Sequence, residues 1–207
     1  MKVTKSQAQE NRARIVETAS TLFRERGYDG VGVADLMAAA GFTHGGFYKH
    51  FGSKADLMAE AAASGFSQSV ANLAGVDAAA FIKEYVSRQH RDALGNGCTL
   101  AALSGDAARQ PESIKQAFAT GIESQLATLE REDGALSESA KREARAKRID
   151  TLAHVVGALV LSRACPDDSP LADEILEVCR AQILSHDDRK GEGPDRVHRA
   201  LSRRARR

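Results

Sequence analysis

The amino-acid sequence predicts an all-α protein. Its 207 residues contain no Trp, and aromatic residues make up only 5% of the chain. Ala, Leu, Glu, Arg and Ser are abundant instead, and this composition favours helices over sheets. Apolar residues also recur at helical spacing, as at Ile15, Ala19 and Leu22. We predict about nine helices, arranged as a small N-terminal head of three helices and a larger C-terminal helical bundle.

The predicted head begins with a helix over residues 14–26, which Gly27 ends. A second helix ends near Gly41, because glycine accepts the positive φ that is typical of a helix C-terminus. Thr43 offers its hydroxyl as the N-terminal cap of a third helix over residues 44–51. Two short helices joined by such a turn form a helix-turn-helix.

The third helix has two unlike faces. Phe47 and Phe51 lie four residues apart on its inner face. The outer face carries small and polar residues: His44, Gly45, Tyr48 and Lys49. Each glycine costs a helix roughly 1 kcal/mol in propensity, so we expect this helix to be weakly formed on its own.

The next predicted helix connects the head to the bundle. Ser53 begins this helix, with Asp56 as its capping partner, and the helix runs to about Leu73. Gly75 ends it, and Asp77 caps the helix that follows. We predict the remaining helices over residues 78–94, 98–108, 111–132, 137–161 and 170–184.

Composition excludes several classes of protein. No apolar run reaches the roughly 18 residues that a membrane span needs, and the N-terminus is polar, so we expect a cytoplasmic protein that does not enter a membrane. Three widely spaced cysteines suit a reducing compartment better than a disulfide framework. The six histidines show no paired ligand motif, so we predict neither a metal site nor a cofactor.

Charge divides the chain into three parts. Residues 1–58 carry a net charge of +2, residues 59–186 carry −5 and residues 187–207 carry +4. A basic head on an acidic body suits a protein whose head binds nucleic acid. We expect the last part, which contains six Arg between residues 196 and 207, to be loosely ordered. It is either a phosphate-binding arm or a solvated terminus.

The helix-turn-helix also resembles a known family. The order Gly41-Phe42-Thr43-x-Gly-x-Phe47-Tyr48-x-His50-Phe51-x-Ser53-Lys54-x-x-Leu57 is similar to the DNA-binding signature of the tetracycline-repressor (TetR) family of bacterial regulators. The resemblance covers roughly residues 10–58. The family usually has Thr or Ser where Gly32 or Val33 stands, so we expect one helix cap to be missing here.

The resemblance implies roles for individual residues of the head. Side chains at four positions would contact backbone phosphates of DNA: Thr43, Tyr48, His50 and Lys54. Residues at four others would face the bases: His44, Gly45, Gly46 and Lys49. Domain 1–58 would therefore bind DNA, and domain 59–186 would bind an effector and form a homodimer.

For the body, the sequence predicts a dimer interface and an effector pocket less specifically. We expect a dimer interface on the last two helices, formed by Ile149, Ala153, Val156, Val160, Ile175, Cys179 and Ile183. The residues that we expect to line an effector pocket are Phe66, Phe81, Tyr85, Gln89, His90, Cys98, Leu103, Phe118 and Ile122. For any one of these residues, an ordinary place in the core is the alternative.

These expectations combine into one function with two alternatives. The sequence predicts a repressor that binds a palindromic operator in double-stranded DNA as a homodimer and is released by an unidentified small molecule or electrophile. Cys98 begins a helix, where backbone N–H groups favour a thiolate, so it is the candidate for electrophile sensing; a small packing residue is the alternative. The other functions are a ligand-blind architectural DNA-binding protein and a thiol-dependent enzyme using Cys98 and His90. Against the enzyme hypothesis, the sequence places no acid or amide to orient His90.

Overall fold

A computed structural model of the protein describes residues 4–73, 75–128 and 137–191, with side chains up to residue 185. Within these ranges the fold is all-α, as predicted, and contains nine α-helices and one 3₁₀ helix. The α-helices are α1 (Lys5–Arg26), α2 (Val33–Ala39), α3 (Lys54–Leu73), α4 (Ala78–Tyr85), α5 (Arg88–Asp92), α6 (Thr99–Ala107), α7 (Glu112–Thr128), α8 (Glu138–Arg163) and α9 (Pro170–Gly191). The 3₁₀ helix, which we call the 3₁₀ segment, covers His44–Lys49.

Most helix ends follow the predicted capping residues. The side chains of Asp77 and Ser137 accept hydrogen bonds from the first turns of α4 and α8. Ser53 accepts one from the backbone N–H of Asp56 at 3.1 Å. Gly27 and Gly41 have φ angles of 73° and 82°, which reverse the chain after α1 and α2. These predictions are confirmed.

Two predictions about helices are wrong. The helix predicted over residues 78–94 divides into α4 and α5, because the Ser87 hydroxyl caps α5 through the N–H of His90 and donates to the carbonyl of Glu84. Residues 44–49 form a 3₁₀ rather than an α-helix, and Thr43 makes no side-chain cap. Two consecutive glycines explain this weaker helix. As expected, Gly32 begins α2 without a side-chain cap.

The helix α9 is longer than predicted, since it continues beyond Leu184 to Gly191. The last turn of the helix predicted over residues 111–132, namely residues 129–132, lies outside the described residues. So does the part of the basic tail from residue 192 onward.

The head packs around its own apolar core. The completely buried side chains there come from each of its helices: Ile15, Phe23, Leu36, Phe47 and Leu57. The helix α3 then leaves the head and packs along most of its length against α7. At this contact the Phe66 ring lies against Gly121 and meets the Phe118 ring edge-on at 5.2 Å.

The helices α8 and α9 pack against each other at one side of the body. Their inward residues include Val155, Leu159, Ala172 and Leu176, all buried. Ile183 is also buried in this core, so its predicted place in an outward dimer interface is wrong: α9 turns its Ala172–Leu176–Ile183 face inward. Five large apolar side chains of the two helices remain exposed: Ile149, Val160, Leu161, Leu171 and Val178. Of the helices that the structure describes, none combines the length and apolar character needed to cross a membrane.

Candidate nucleic-acid interface and internal cavity

The 3₁₀ segment divides into a buried and an exposed face, as its sequence predicts. Phe47 is buried and packs 5.5 Å from the Phe51 ring. On the opposite face, the Tyr48 side chain is 69% exposed. The other exposed residues of this face are Thr43, His44, Gly45 and Lys49, with Gly46 half-buried. The result is a short convex ridge that carries a phenol, an imidazole and an ammonium group around two glycines.

The fold does not require a glycine at position 45. A methyl group added there would meet no atom within 4 Å. Gly46 is nearly as open, since an added methyl group would lie 3.7 Å from Met37 and Thr43, which is ordinary contact. Neither glycine has a positive φ. The packing of the chain therefore gives no reason for glycine at these two positions, whereas close approach to the bases of a DNA groove would give one.

Two residues with predicted phosphate contacts are engaged within the protein. The Lys54 ammonium donates a hydrogen bond to the carbonyl of Tyr28 at 2.6 Å and is half-buried. The His50 ring is half-buried beside Phe42 and Phe51. These two side chains are less available to a partner than Tyr48, whose ring is exposed although it packs edge-to-face against Phe47.

Two arginines of α1 hold the helix-turn-helix in place, and the sequence motif does not include them. Arg12 donates to the carbonyl of His50, pairs with Glu60 and lies 4.2 Å over the Phe51 ring. Arg14 donates to the carbonyl of Ala40 at 2.8 Å. Both acceptors are carbonyls left free at helix ends. No local pattern marks such contacts, because they join residues 26 to 38 positions apart.

The loop after α1 joins the head to the body. The Tyr28 N–H donates to the Asp106 carboxylate at 3.0 Å, while its carbonyl accepts from Lys54. The Tyr28 ring is completely buried, and this burial raises the pKa of its hydroxyl. Arg24 adds a second connection by donating to the carbonyl of Gly95 at 2.7 Å.

A cavity of about 330 Å³ lies in the body. Residues from α3, α4, α5, α7, α8 and the loop before α6 line it. Five of the predicted effector-pocket residues are among them: Phe81, Tyr85, Gln89, His90 and Cys98. The other four do not line it, which corrects the prediction: Phe66, Leu103, Phe118 and Ile122. They pack in or against the core, where Phe66 and Phe118 fill the α3–α7 contact.

His90 has both ring nitrogens occupied by the backbone. Nε2 accepts the N–H of Cys98 at 3.1 Å, which leaves the proton on Nδ1, where it donates to the carbonyl of Tyr85 at 2.7 Å. Burial lowers the pKa of His90, and the neighbouring Arg163 lowers it further. The neutral imidazole thus links the end of α4 to the start of α6 through two hydrogen bonds. It has no free nitrogen to act as a base for the Cys98 thiol.

An arginine cluster fixes the cavity wall against the last two helices. Arg91 is buried, pairs with Asp92 and Asp167, and donates to Ser162 on α8. Arg163 donates from Nε to the carbonyl of Arg91 at 2.9 Å and from Nη2 to that of His90 at 3.0 Å. These bonds make α5 and the end of α8 one rigid corner. In the part of the chain that the structure describes, no three His, Cys, Asp or Glu side chains cluster as a metal site would require.

The head matches a known family by sequence. A profile of the family described as "Bacterial regulatory proteins, tetR family" matches residues 15–61. The head of this chain is therefore similar in sequence to the DNA-binding head of the TetR family. The HTH-type transcriptional regulator TtgR of Pseudomonas putida is 46% identical over 55 residues, which make up 27% of this chain and 26% of TtgR. The chain therefore matches only about a quarter of the length of this curated relative.

Solved structures of other proteins extend the likeness in fold to the body. A TetR-family transcriptional regulator from Cytophaga hutchinsonii gives a TM-score of 0.64 at 20% identity, covering 89% of this chain and 98% of that one. The reduced form of NemR from E. coli gives a TM-score of 0.61 at 20% identity, covering 84% and 95%. At these identities the likeness shows the fold alone, and it confirms the predicted all-α architecture.

Proposed function

We propose that this protein is a cytoplasmic transcriptional repressor of the TetR family that binds a palindromic DNA operator as a homodimer and is released when a small molecule occupies the cavity. The observation that carries the DNA-binding part is the exposed ridge of the 3₁₀ segment. It presents Tyr48 and Lys49 beside a glycine that the fold does not require. The sequence match of the head to bacterial regulators supports the same assignment.

Selection from random double-stranded DNA by the purified protein tests this part. We expect enrichment of a palindrome whose half-sites lie one helical turn apart, about 34–36 Å, or a multiple of that distance. The double variant Tyr48→Ala/Lys49→Ala is the matched control, because both side chains are exposed and their loss should not affect folding. Enrichment of the same sequence by this variant, or none by the native protein, would contradict the proposal.

Five exposed apolar side chains on α8 and α9 support the homodimer. Exposed apolar patches of this kind mark interaction surfaces. We expect sedimentation velocity at micromolar concentration to show a dimer, and the variant Val160→Asp/Val178→Asp to sediment as a monomer. Leu94→Asp is the control, because Leu94 is also exposed but stands in the loop before α6 and not on these helices. A native protein that is monomeric and binds single half-sites would refute the dimer.

The helix α3 supports a connection between the cavity and the DNA-binding ridge. Its first residue, Lys54, is bonded to the head, while Ser69 and Leu73 near its other end line the cavity. A ligand changes DNA affinity only if it binds two arrangements of the protein unequally. A tilt of α3 supplies such arrangements, because it would change the separation of the two ridges in a dimer.

A chemical trigger is the second form of this proposal. Cys98 lines the cavity, where an electrophile or oxidant could reach its thiol. In that case Cys98→Ser should keep operator affinity and abolish release by a quinone or by peroxide, whereas the control Cys165→Ser should respond normally. Operator binding that no hydrophobic compound, electrophile or oxidant alters would favour the ligand-blind DNA-binding protein instead. We assign no enzymatic activity.

A further inference from the structure

Two hydrogen-bond donors in the body are buried without a partner. The Tyr85 side chain is 8% exposed, and its hydroxyl makes no hydrogen bond with the described residues. The Nη1 group of Arg163 is likewise buried and unbonded, although Nε and Nη2 of the same guanidinium are held by backbone carbonyls. Buried polar groups are nearly always paired in folded proteins, so two unpaired donors in one region need an explanation.

One of these donors belongs to the cavity lining, and the other stands just behind that lining. Tyr85, Gly97 and Cys98 line one end of the cavity, and Arg163 stands directly behind Gly97: a methyl group added to this glycine would lie 3.1 Å from its Nη2. The Arg163 charge is close enough to Tyr85 to lower the pKa of its hydroxyl, although burial raises that pKa more strongly. The Cys98 thiol is also near, but sulfur is a weak acceptor and does not satisfy the hydroxyl.

Three further titratable groups near this end are engaged elsewhere or exposed. Both nitrogens of His90 are occupied by the backbone. Asp92, the nearest carboxylate to act on Arg163, pairs with Arg88 and Arg91. Glu84 is the only carboxylate among the described lining residues, and it is exposed. This end of the cavity therefore presents one buried donor without a partner, the Tyr85 hydroxyl, in front of the positive charge of Arg163. The amides of Gln89 and Asn96 also line the cavity and can either donate or accept.

The lining surface of the cavity is mostly apolar, although polar side chains such as Asn72 and Gln125 also contribute to it. Aliphatic and aromatic side chains from three helices face the cavity: Leu73, Phe81, Ile82, Leu152 and Val155. A volume of about 330 Å³ is at the lower end of the range for small-molecule sites, so the occupant is a small molecule. Its apolar part would lie on these side chains, and its polar part would lie beside Tyr85.

We propose that the cavity binds a small apolar organic acid, whose carboxylate accepts a hydrogen bond from the Tyr85 hydroxyl and faces the positive charge of Arg163. This inference rests on the proposed function, because it names the chemical class of the effector. A carboxylate supplies the acceptor that Tyr85 lacks and the charge opposite to that of Arg163, and hydrogen bonds to an ionised acceptor are stronger than neutral ones. A neutral alcohol would satisfy one donor and leave the charge unpaired, and an amine would be repelled.

Three probes that differ only in their polar group test the inference on the full-length protein. Isothermal titration at neutral pH should show 4-phenylbutanoate binding at least about tenfold more tightly than 4-phenylbutan-1-ol, and no binding of 4-phenylbutylamine. The variant Tyr85→Phe should weaken 4-phenylbutanoate about tenfold while leaving the alcohol nearly unchanged. Its thermal stability should not fall, because the hydroxyl that it removes has no partner.

Thr99→Val is the matched control, since it also removes a buried, unbonded hydroxyl, but from a residue that does not line the cavity. We expect it to bind 4-phenylbutanoate normally. Arg163→Gln should weaken the acid and admit the amine; if this variant fails to fold, Tyr85→Phe decides alone. Equal binding of acid and alcohol, binding of none of the three probes, or an unchanged affinity in Tyr85→Phe would overturn the proposal.

Release of the selected operator separates this inference from the proposed function. If 4-phenylbutanoate binds through Tyr85 but operator binding is unchanged, the cavity binds organic acids, and the proposal that its ligand releases the operator is wrong. If the alcohol or the amine releases the operator while the acid does not, the effector role stands and the proposed class of ligand is wrong.

Discussion

Two glycines on helical segments show opposite relations to the fold. At Gly121 on α7, an added methyl group would come within 2.2 Å of the Phe66 ring, so the packing of α3 on α7 demands glycine. At Gly45 in the 3₁₀ segment, the same group would meet nothing. One residue is explained by the chain itself and the other is not. The comparison teaches that a residue without an internal reason directs attention to a partner, and the Tyr85 hydroxyl in the cavity is a second example.

The largest effect should come from filling the α3–α7 contact. Gly121→Ala should lower the free energy of unfolding by about 3 kcal/mol, because the buried Phe66 ring must move within a packed core. Denaturant titration measures the change. Gly105→Ala on α6 is the control, since its added methyl group meets no atom within 4 Å and should leave stability unchanged or raise it. Equal effects of the two substitutions would break the comparison.

The second glycine of the comparison, Gly45, should matter for DNA affinity and not for the free energy of unfolding. Gly45→Ala should keep or raise the free energy of unfolding, yet weaken operator binding by about 1–3 kcal/mol, because the methyl group intrudes between the ridge and the bases. Fluorescence anisotropy with the selected operator gives the affinity. A variant that binds DNA as well as the native protein would show that Gly45 has no partner outside the chain.

Two lysines sharpen the same distinction within the head. Lys54→Ala should lower the free energy of unfolding by about 1.5 kcal/mol, because it removes a charged donor from the Tyr28 carbonyl. Lys49→Ala should change stability by less than about 0.5 kcal/mol, since this side chain is exposed. Its loss should instead weaken the operator more than random DNA. Equal losses on both DNAs would indicate that Lys49 contacts phosphates rather than bases.

The smallest effect concerns His90 and pH. Because burial lowers its folded-state pKa below the usual 6.5, the unfolded chain binds its proton more readily. The free energy by which the native protein exceeds His90→Gln in stability should therefore fall as the pH drops from about 6.5 through the folded-state pKa. Above about pH 6.5 this difference should stay constant. Unfolding titrations from pH 5 to 8 test this sign. A difference that is independent of pH would show that His90 does not titrate on unfolding.

The sequence predicted the head well because its information is local. Gly41, Phe47 and Phe51 specify a turn and a buried face within eleven residues, and the structure places them accordingly. The break between α4 and α5 was missed because Ser87 stands among good helix formers, and only its hydrogen bonds reveal a cap.

The cavity could be predicted only in part. Phe81, Tyr85 and His90 share one stretch of sequence, and they do line it. Phe66 and Phe118 have the same apolar character but fill the core, because Gly121 lets the two helices approach. Leu152 reaches the cavity from α8, a helix that is distant in sequence and that carries apolar residues on nearly every side. Which apolar residue faces a cavity depends on helix packing, and no local pattern records it.

The loop after α1 has a consequence for modularity. Within the head, Tyr28 and Arg24 donate to Asp106 and Gly95, which both belong to the body. An excised fragment ending near residue 58 would keep the whole DNA-binding motif but leave these buried donors without their acceptors. The head is therefore not a portable module: to transplant its DNA specificity onto another protein, the recipient must supply a carboxylate and a carbonyl at the same two places.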